Sequence, residues 1–191
     1  MFEEGALFYL ENSPSKELMT EGYRAMIRHS RRAIVYCIAI AIGLALAVHS
    51  FLTARNPLNL ELGITPSLLY SLYFLLLSGF LAWRLFTSPR KAAATYMKRL
   101  AVVYGDDTSA LTVTYSFTED HIHSASSNGA HSDMTYDQIV AAYETSHVIV
   151  LRFQQKLFET LDKSTIQGGS LQDFRAFIEK KATSAKVFWK R

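Results

Sequence analysis

Three histidines lying close together in the sequence are the first candidates for chemistry. His121 and His123 are two residues apart, so on a β-strand they share one face, and His131 could join them across a hairpin to chelate a metal ion. No cysteine or close set of carboxylates completes such a site. The alternative is that the histidines line the exposed face of the strand, opposite Ile122. A metal-dependent sensor or enzyme built on this hairpin is therefore one open hypothesis.

Acidic residues near the histidines offer a second kind of chemistry. Carboxylates and imidazoles could act as general acid and base, although the same residue types are common in turns and at solvated strand edges. The sequence has no nucleophile elbow, phosphate-binding loop or zinc-protease motif. We therefore predict a protein that is not an enzyme and that needs no cofactor. The acids concerned are Glu119, Asp120, Asp133 and Asp137.

Any such residues must be positioned by a chain of 191 residues whose apolar side chains are concentrated in two stretches. Residues 33–52 and 68–83 contain no Lys, Arg, Asp or Glu, whereas a soluble helix usually keeps a polar stripe. At 1.5 Å per residue, 33–52 and 68–86 extend about 30 Å and about 28 Å, which matches the hydrocarbon core of a bilayer. We predict a transmembrane helix over each range, with an external loop over 53–67.

Two other interpretations of these stretches exist. A secretory signal peptide is disfavoured, because 32 residues precede the first stretch and its length exceeds the ~7–15 residues of a signal-peptide core. A pair of buried helices in a soluble bundle is the second. Intrinsic disorder is excluded, because 13% of the residues are aromatic and only 19% are charged.

Basic residues flank the two apolar stretches. Five Lys or Arg residues precede the first, one lies between them, and five end or follow the second. Because short cytoplasmic segments retain Lys and Arg, we expect a multi-pass protein of the bacterial inner membrane with both termini in the cytoplasm. The net charge of +3 arises in residues 84–110, which favours anionic lipid headgroups over nucleic acid. The candidate headgroup contacts are Arg28, Arg31, Arg32, Arg84, Arg90, Lys91, Lys98 and Arg99.

Small residues recur every four positions along the first span. Ala39, Gly43 and Ala47 would let a neighbouring helix approach closely. We expect that neighbour to be the second span, with Gly79 opposite, and a homodimer is the alternative. The single cysteine, Cys37, has no partner within the chain for a disulfide.

Beyond residue 104 the apolar residues alternate instead of following a helical period. This pattern predicts five or six short antiparallel strands within a domain over 105–183, with a hairpin turn at Asn128-Gly129. Ser170 is expected to cap a final helix, with Asp173 in the capping-box position. Because the sheet needs a cover, we predict a pleckstrin-homology-like roll whose C-terminal helix packs on the sheet.

The remaining segments are given simpler structures. Residues 1–12 contain a possible edge strand for the distal sheet. Residues 13–32 and 87–104 are predicted to be helical stalks that contact each other in antiparallel fashion. Residues 184–191 form a basic tail, which we expect to be frayed and solvated.

Four stretches together resemble a known family. Their order is a hydrophobic strand and acidic pair, a turn, a Tyr-x-x-Ile segment and a terminal Phe-x-x-Phe helix, within residues 96–182. This order resembles the YcxB-like bacterial membrane proteins, and the chain departs from that pattern at His121 and at Asp162-Lys163. The resemblance implies a membrane location and a two-span hairpin before a small C-terminal domain, with no reaction attached. The stretches are YSFTEDHIHSASSNG, MTYDQIVAAYET, VIVLRFQQKLFETLDKSTI and GGSLQDFRAFIEKK.

The favoured hypothesis is a membrane-anchored cytoplasmic interaction module. Its transmembrane hairpin would tether an α+β domain that binds an unknown protein partner or an anionic lipid surface. The alternatives are the metal-dependent sensor or enzyme on His121, His123 and His131, and an oligomeric transport component. A transport component built from two spans would have to oligomerise, and neither span contains the polar pathway that transport would need.

Overall fold

The chain forms an α+β structure in which long helices are inserted into a β-sheet domain. A computed structural model describes residues 5–54, 66–104, 111–154 and 157–190. The helices in these ranges are α1 (Lys16–Arg28), α2 (Arg31–Ala54), α3 (Pro66–Tyr104) and α4 (Leu171–Lys181). The strands are β1 (Phe8–Asn12), β2 (Val113–Phe117), β3 (His121–Ser126), β4 (His131–Thr135), β5 (Ile139–Glu144), β6 (Val148–Phe153), β7 (Phe158–Asp162) and β8 (Lys186–Phe188).

These elements divide into two compact units. The hairpin unit comprises Ile27–Pro89, and the sheet unit combines Met1–Met26 with Arg90–Arg191. The boundary at Pro89 lies inside α3, where a proline removes one helical hydrogen bond. The predicted stalk over 87–104 is thus the continuation of the second apolar helix and not a separate element.

The two long helices of the hairpin unit carry the predicted spans. Arg31–Thr53 and Pro66–Val102 are both long and apolar enough to cross a membrane, and only 11% of the most apolar window of each is buried. A core helix of a soluble protein would be mostly buried. Side chains such as Ile34, Val35 and Leu76 are instead more than half exposed. Most of the predicted external loop, residues 55–65, lies outside the described residues.

Small side chains bring α2 and α3 together. The Ser71 hydroxyl donates a hydrogen bond to the carbonyl oxygen of Ala47, at 3.0 Å. A Cβ atom on Gly43 would lie 2.3 Å from the Ser78 hydroxyl oxygen, so this glycine permits the close approach. The expectation that Gly79 lies opposite was wrong, because no atom lies within 4 Å of a Cβ built there. Serines, which are small but polar, occupy the facing positions.

We expect Gly43→Val to disrupt this packing and Gly79→Val to leave it intact. The added side chain at position 43 must displace Ser78, and overpacking typically costs about 1–3 kcal/mol. The same substitution at position 79 enters open space. Thermal unfolding of the full chain in a mild detergent measures the difference. Equal unfolding temperatures for the two variants would contradict this helix contact.

The strands form two four-stranded sheets. The first has the order β1-β2-β3-β4 and is antiparallel throughout. The second has the order β7-β6-β5-β8, in which β8 runs parallel to β5. The six strands between residues 113 and 162 therefore fall into two sheets, and a strand from each end of the chain extends them.

The N-terminal strand lies far in sequence from its partner. Phe8 is opposite Phe117 in the register of β1 and β2. Phe8 and Leu10 are both buried in the main core. The start of β1 also lies close to Gly168. A Cβ atom at position 168 would be only 2.2 Å from the carbonyl oxygen of Leu7, so this contact requires glycine.

The C-terminal tail was expected to be frayed, and for part of it this was wrong. Lys186–Phe188 form β8 on the open edge of β5. The Phe188 ring stacks on Tyr143 with a centroid distance of 5.3 Å and an interplanar angle of 4°. Strand pairing and ring stacking therefore both contribute to ordering this part of the basic segment.

The second sheet is covered on both faces. On β6, Val148 and Val150 belong to one apolar cluster, whereas Ile149 and Leu151 belong to the main core. Residues of α1 cover the cluster that contains Val148 and Val150. They are Leu18, Ala25 and Met26. The segment 13–32, predicted to be a helical stalk, does contain the helix α1, and this helix packs on the second sheet.

The C-terminal helix begins as predicted. The Ser170 hydroxyl accepts from the backbone N–H of Asp173, whose carboxylate in turn accepts from the N–H of Ser170. Phe174 and Ile178 of α4 are fully buried in the main core. This capping box satisfies two backbone donors at the start of the helix.

Candidate functional site

The histidines do share one face, as the strand pattern predicted, but each has a different neighbour. His123 lies opposite Asp133 in the register of β3 and β4, with 2.5 Å between His123 Nδ1 and Asp133 Oδ1. The hydrogen bond from His123 lowers the pKa of the Asp133 carboxyl. His131 instead has its Nδ1 3.2 Å from the carbonyl oxygen of Gly129. Over the part of the chain that the structure describes, no three His, Cys, Asp or Glu residues are grouped to hold a metal ion.

Two of the other acids near the histidines, Glu119 and Asp137, have side-chain partners of their own. Glu119 pairs with Lys181 of α4, and this ion pair lowers the pKa of the glutamate. Asp137 accepts a hydrogen bond from the hydroxyl of Thr135. These contacts link turns to neighbouring elements and do not bring an acid and a base together around a common cavity.

The predicted headgroup contacts are all on the surface. The hairpin unit carries four of them and the sheet unit, at the C-terminal end of α3, carries the other four. Every one of these side chains is exposed, so each is accessible to a charged ligand. They are Arg28, Arg31, Arg32 and Arg84 in the first set and Arg90, Lys91, Lys98 and Arg99 in the second.

A cleft in the sheet unit was not predicted from the sequence. It has a volume of about 190 Å³ and opens beside β2, β3 and β7, with Met19 of α1 and Tyr96 of α3 among its lining residues. Its apolar walls also include Leu100 and Leu111, and its rim includes His131. The cleft is smaller than the ~300–1,000 Å³ sites that bury drug-sized ligands. Any occupant is therefore small.

A hydrogen-bonded pair of ionisable residues lines this cleft. The Tyr115 hydroxyl donates to Glu159 Oε2 at 2.5 Å. Burial raises the pKa of the Glu159 carboxyl by more than this hydrogen bond lowers it. Burial and the neighbouring carboxylate also raise the pKa of Tyr115 well above its usual range. Glu159 is therefore a carboxyl group held in surroundings that disfavour its charge.

An unpaired acceptor lies in the same cleft. Asn12, at the end of β1, is 2% exposed. Its side-chain amide donates to the carbonyl oxygen of Thr160, while its own Oδ1 has no hydrogen-bond partner. Unsatisfied buried polar atoms are uncommon in native proteins, and each calls for an explanation.

Sequence reasoning missed the cleft because its residues come from distant elements. Asn12 and Tyr115 are brought together by the pairing of β1 with β2, and Glu159 comes from the other sheet. No local signal marks Glu159, because β7 also contains the polar residues Thr160 and Asp162.

Comparison with known proteins identifies the domain that carries most of these strands. By its fold, this domain belongs to the α+β class and has two sheets and a C-terminal helix. Residues 117–178, in the C-terminal part of the chain, match the family model of YcxB-like proteins, as the sequence resemblance indicated. No match was found among curated proteins or among solved structures.

We expect Glu159→Gln to change how stability depends on pH. The folded state binds the Glu159 proton more tightly than the unfolded state, so wild-type stability falls as pH rises from about 4.5 through the raised pKa. The glutamine variant keeps an acceptor for Tyr115 but cannot titrate. The glutamine variant should therefore be more stable than the wild type at pH values above the raised pKa of Glu159. Below about pH 4.5 the two proteins should have similar stability.

Thermal unfolding of both proteins over a pH series measures this difference. Glu11→Gln, an exposed position on β1, is the matched control and should follow the wild type. A difference between wild type and Glu159→Gln that is independent of pH would contradict the assigned environment of the carboxyl group.

Proposed function

We propose that this protein is a membrane-anchored interaction module that acts by binding and not by catalysis. The hairpin unit inserts into a bacterial inner membrane, and the sheet unit is held at the cytoplasmic surface. There it contacts anionic lipid headgroups through the exposed basic residues. The sheet unit belongs to the pleckstrin-homology-like rolls.

The observation that carries this proposal is the composition of the sheet unit. It contains Met1–Met26, before α2, and Arg90–Arg191, which begins inside α3, so the chain leaves this unit and returns to it through two apolar helices. Because both segments fold into one unit on one side of the membrane, the chain between them must cross the membrane an even number of times. Both ends of the hairpin then lie on one side, and the basic residues around them favour the cytoplasm.

The exposed apolar surface supports insertion. Monomeric soluble proteins rarely expose contiguous apolar patches of more than a few hundred Å². Yet most of the large apolar side chains of α2 and of the first half of α3 are exposed. A lipid environment can cover this surface without leaving the backbone N–H and C=O groups unpaired, because both segments are helical.

The strand order supports the assignment of a roll. Four strands form the first sheet, β5, β6 and β7 form most of the second, and α4 packs into the core between them. Two sheets that share a core with one C-terminal helix support a pleckstrin-homology-like roll. In this chain the membrane hairpin is inserted between the first strand and the second.

Cysteine labelling tests the topology. In a Cys37→Ala background, Asn59→Cys places a thiol between the two spans and Thr183→Cys places one after α4. A membrane-impermeant maleimide should label the first in intact spheroplasts and the second only after permeabilisation. Labelling of Thr183→Cys in intact spheroplasts, or release of the protein by alkaline carbonate, would contradict the proposal.

Lipid retention tests the headgroup contacts. Wild-type protein in mild detergent, offered equal amounts of phosphatidylglycerol and phosphatidylcholine, should retain more of the anionic lipid. Changing Arg31, Arg32 and Arg90 together to Gln should reduce that preference, since each basic residue near an anionic surface contributes about 1 kcal/mol. Lipid mass spectrometry of the purified protein gives the ratio.

A control variant separates position from charge. Lys180→Gln with Lys186→Gln removes two exposed positive charges from the last helix and strand. The preference for phosphatidylglycerol should survive in this control. Loss of the preference in the control as well would mean that total charge, and not the residues around the spans, determines lipid binding.

A further inference from the structure

We propose that the cleft between the two sheets binds a small organic ammonium ion, with Glu159 as its counter-ion and Asn12 Oδ1 as a second acceptor. This site uses different residues from the membrane contacts proposed above, since none of those eight basic residues lines the cleft. Three features of the cleft define the class of ligand.

The first feature is that Glu159 and Asn12 offer hydrogen-bond acceptors to the cleft. The Tyr115 hydroxyl is already committed as a donor to Glu159 Oε2. Asn12 uses its amide nitrogen on Thr160, which leaves Oδ1 unpaired and buried. A ligand that reaches these oxygens must therefore bring donors, and an ammonium group brings three.

The second feature is an unbalanced charge. No Lys or Arg is among the described residues that line the cleft. The contrast with Glu144 is informative, because that buried carboxylate has Lys163 and Arg175 within 2.7 Å and 2.6 Å. Among the described residues, the neutral Tyr115 is the only hydrogen-bond partner of the Glu159 side chain, which fits the raised pKa of this carboxyl. A cationic ligand supplies the missing partner.

The third feature is the character of the walls. Met19 and Leu100 offer apolar surface, and Tyr96 adds an aromatic ring. Aromatic faces attract ammonium groups, and apolar walls accept a short hydrocarbon chain. The cleft volume of about 190 Å³ limits the ligand to a small amine.

Titration calorimetry on the full chain in a nonionic detergent tests the proposal with three probes of similar shape. These are n-butylammonium, the neutral n-butanol and the anion butyrate. We expect n-butylammonium to bind, butanol to bind more weakly and butyrate not to bind. Absence of n-butylammonium binding, or equal affinities for the ammonium and the alcohol, would overturn the proposal.

Two variants locate the binding. Glu159→Gln keeps the acceptor for Tyr115 and removes the charge, so it should weaken n-butylammonium binding roughly tenfold or more, because a hydrogen bond to a charged group is worth at least about 1.5 kcal/mol. Glu11→Gln, the exposed control on β1, should leave the affinity unchanged. Equal affinities of wild type and Glu159→Gln would overturn the assignment.

A third variant tests whether the ligand enters the cleft, without changing Asn12 or Glu159. Ala130 is exposed at the rim, so Ala130→Trp can obstruct entry without touching the buried acceptors. It should lower n-butylammonium affinity while the unfolding temperature stays close to that of the wild type. Undiminished affinity in this variant would place the ammonium ion outside the cleft and overturn the proposal.

Discussion

The burial of β5 and β6 on both faces is the constraint on which the rest of the sheet unit depends. Adjacent residues of β6 point to opposite sides, and both sides are apolar: Val148 and Val150 face one cluster, and Ile149 and Leu151 face the other. A strand of this kind needs two covering layers. The first sheet with α4 supplies one layer and α1 supplies the other. Because α1 precedes the apolar helices and β5 follows them, the folded unit has to be assembled from both ends of the chain.

This assembly explains why the hairpin unit is an insertion and not an N-terminal appendage. Gly22 of α1 lies so close to the second sheet that a Cβ atom there would be 3.1 Å from Thr160 Oγ1 and 3.2 Å from a methyl carbon of Val150. On the same face, the Tyr23 and Tyr96 rings lie 4.9 Å and 6.2 Å from the Phe158 ring. The segments before and after the apolar helices therefore both pack on the second sheet. The first does so through Gly22 and Tyr23, and the second through Tyr96.

Two glutamates inside the sheet unit show how local charge sets their chemistry. The Glu144 side chain is fully buried, and although burial favours its neutral form, hydrogen bonds from Arg175 and Lys163 outweigh that effect and lower its pKa. This ion cluster ties β5 to α4 and to the turn after β7, a structural role in which loss of one partner would leave a buried charge uncompensated. Glu159 has no such cation beside it within the described part of the chain, and burial raises its pKa. We regard the first as part of the framework and the second as the group available to a ligand.

The sequence by itself determined what depends on neighbours along the chain. The apolar length of the two helices, the turn at Gly129 with its φ of +89° and the Ser170–Asp173 capping box were all predictable, since periodicity, backbone conformation and capping act over a few residues. The tertiary structure alone decided that Phe8 pairs with Phe117, that α1 covers the second sheet, that Ser78 and not Gly79 faces Gly43, and that Asn12 and Glu159 line one cleft. These contacts join residues that are dozens of positions apart or select one of two neighbouring small residues. They depend on how whole elements pack, which leaves no local periodic signal to detect.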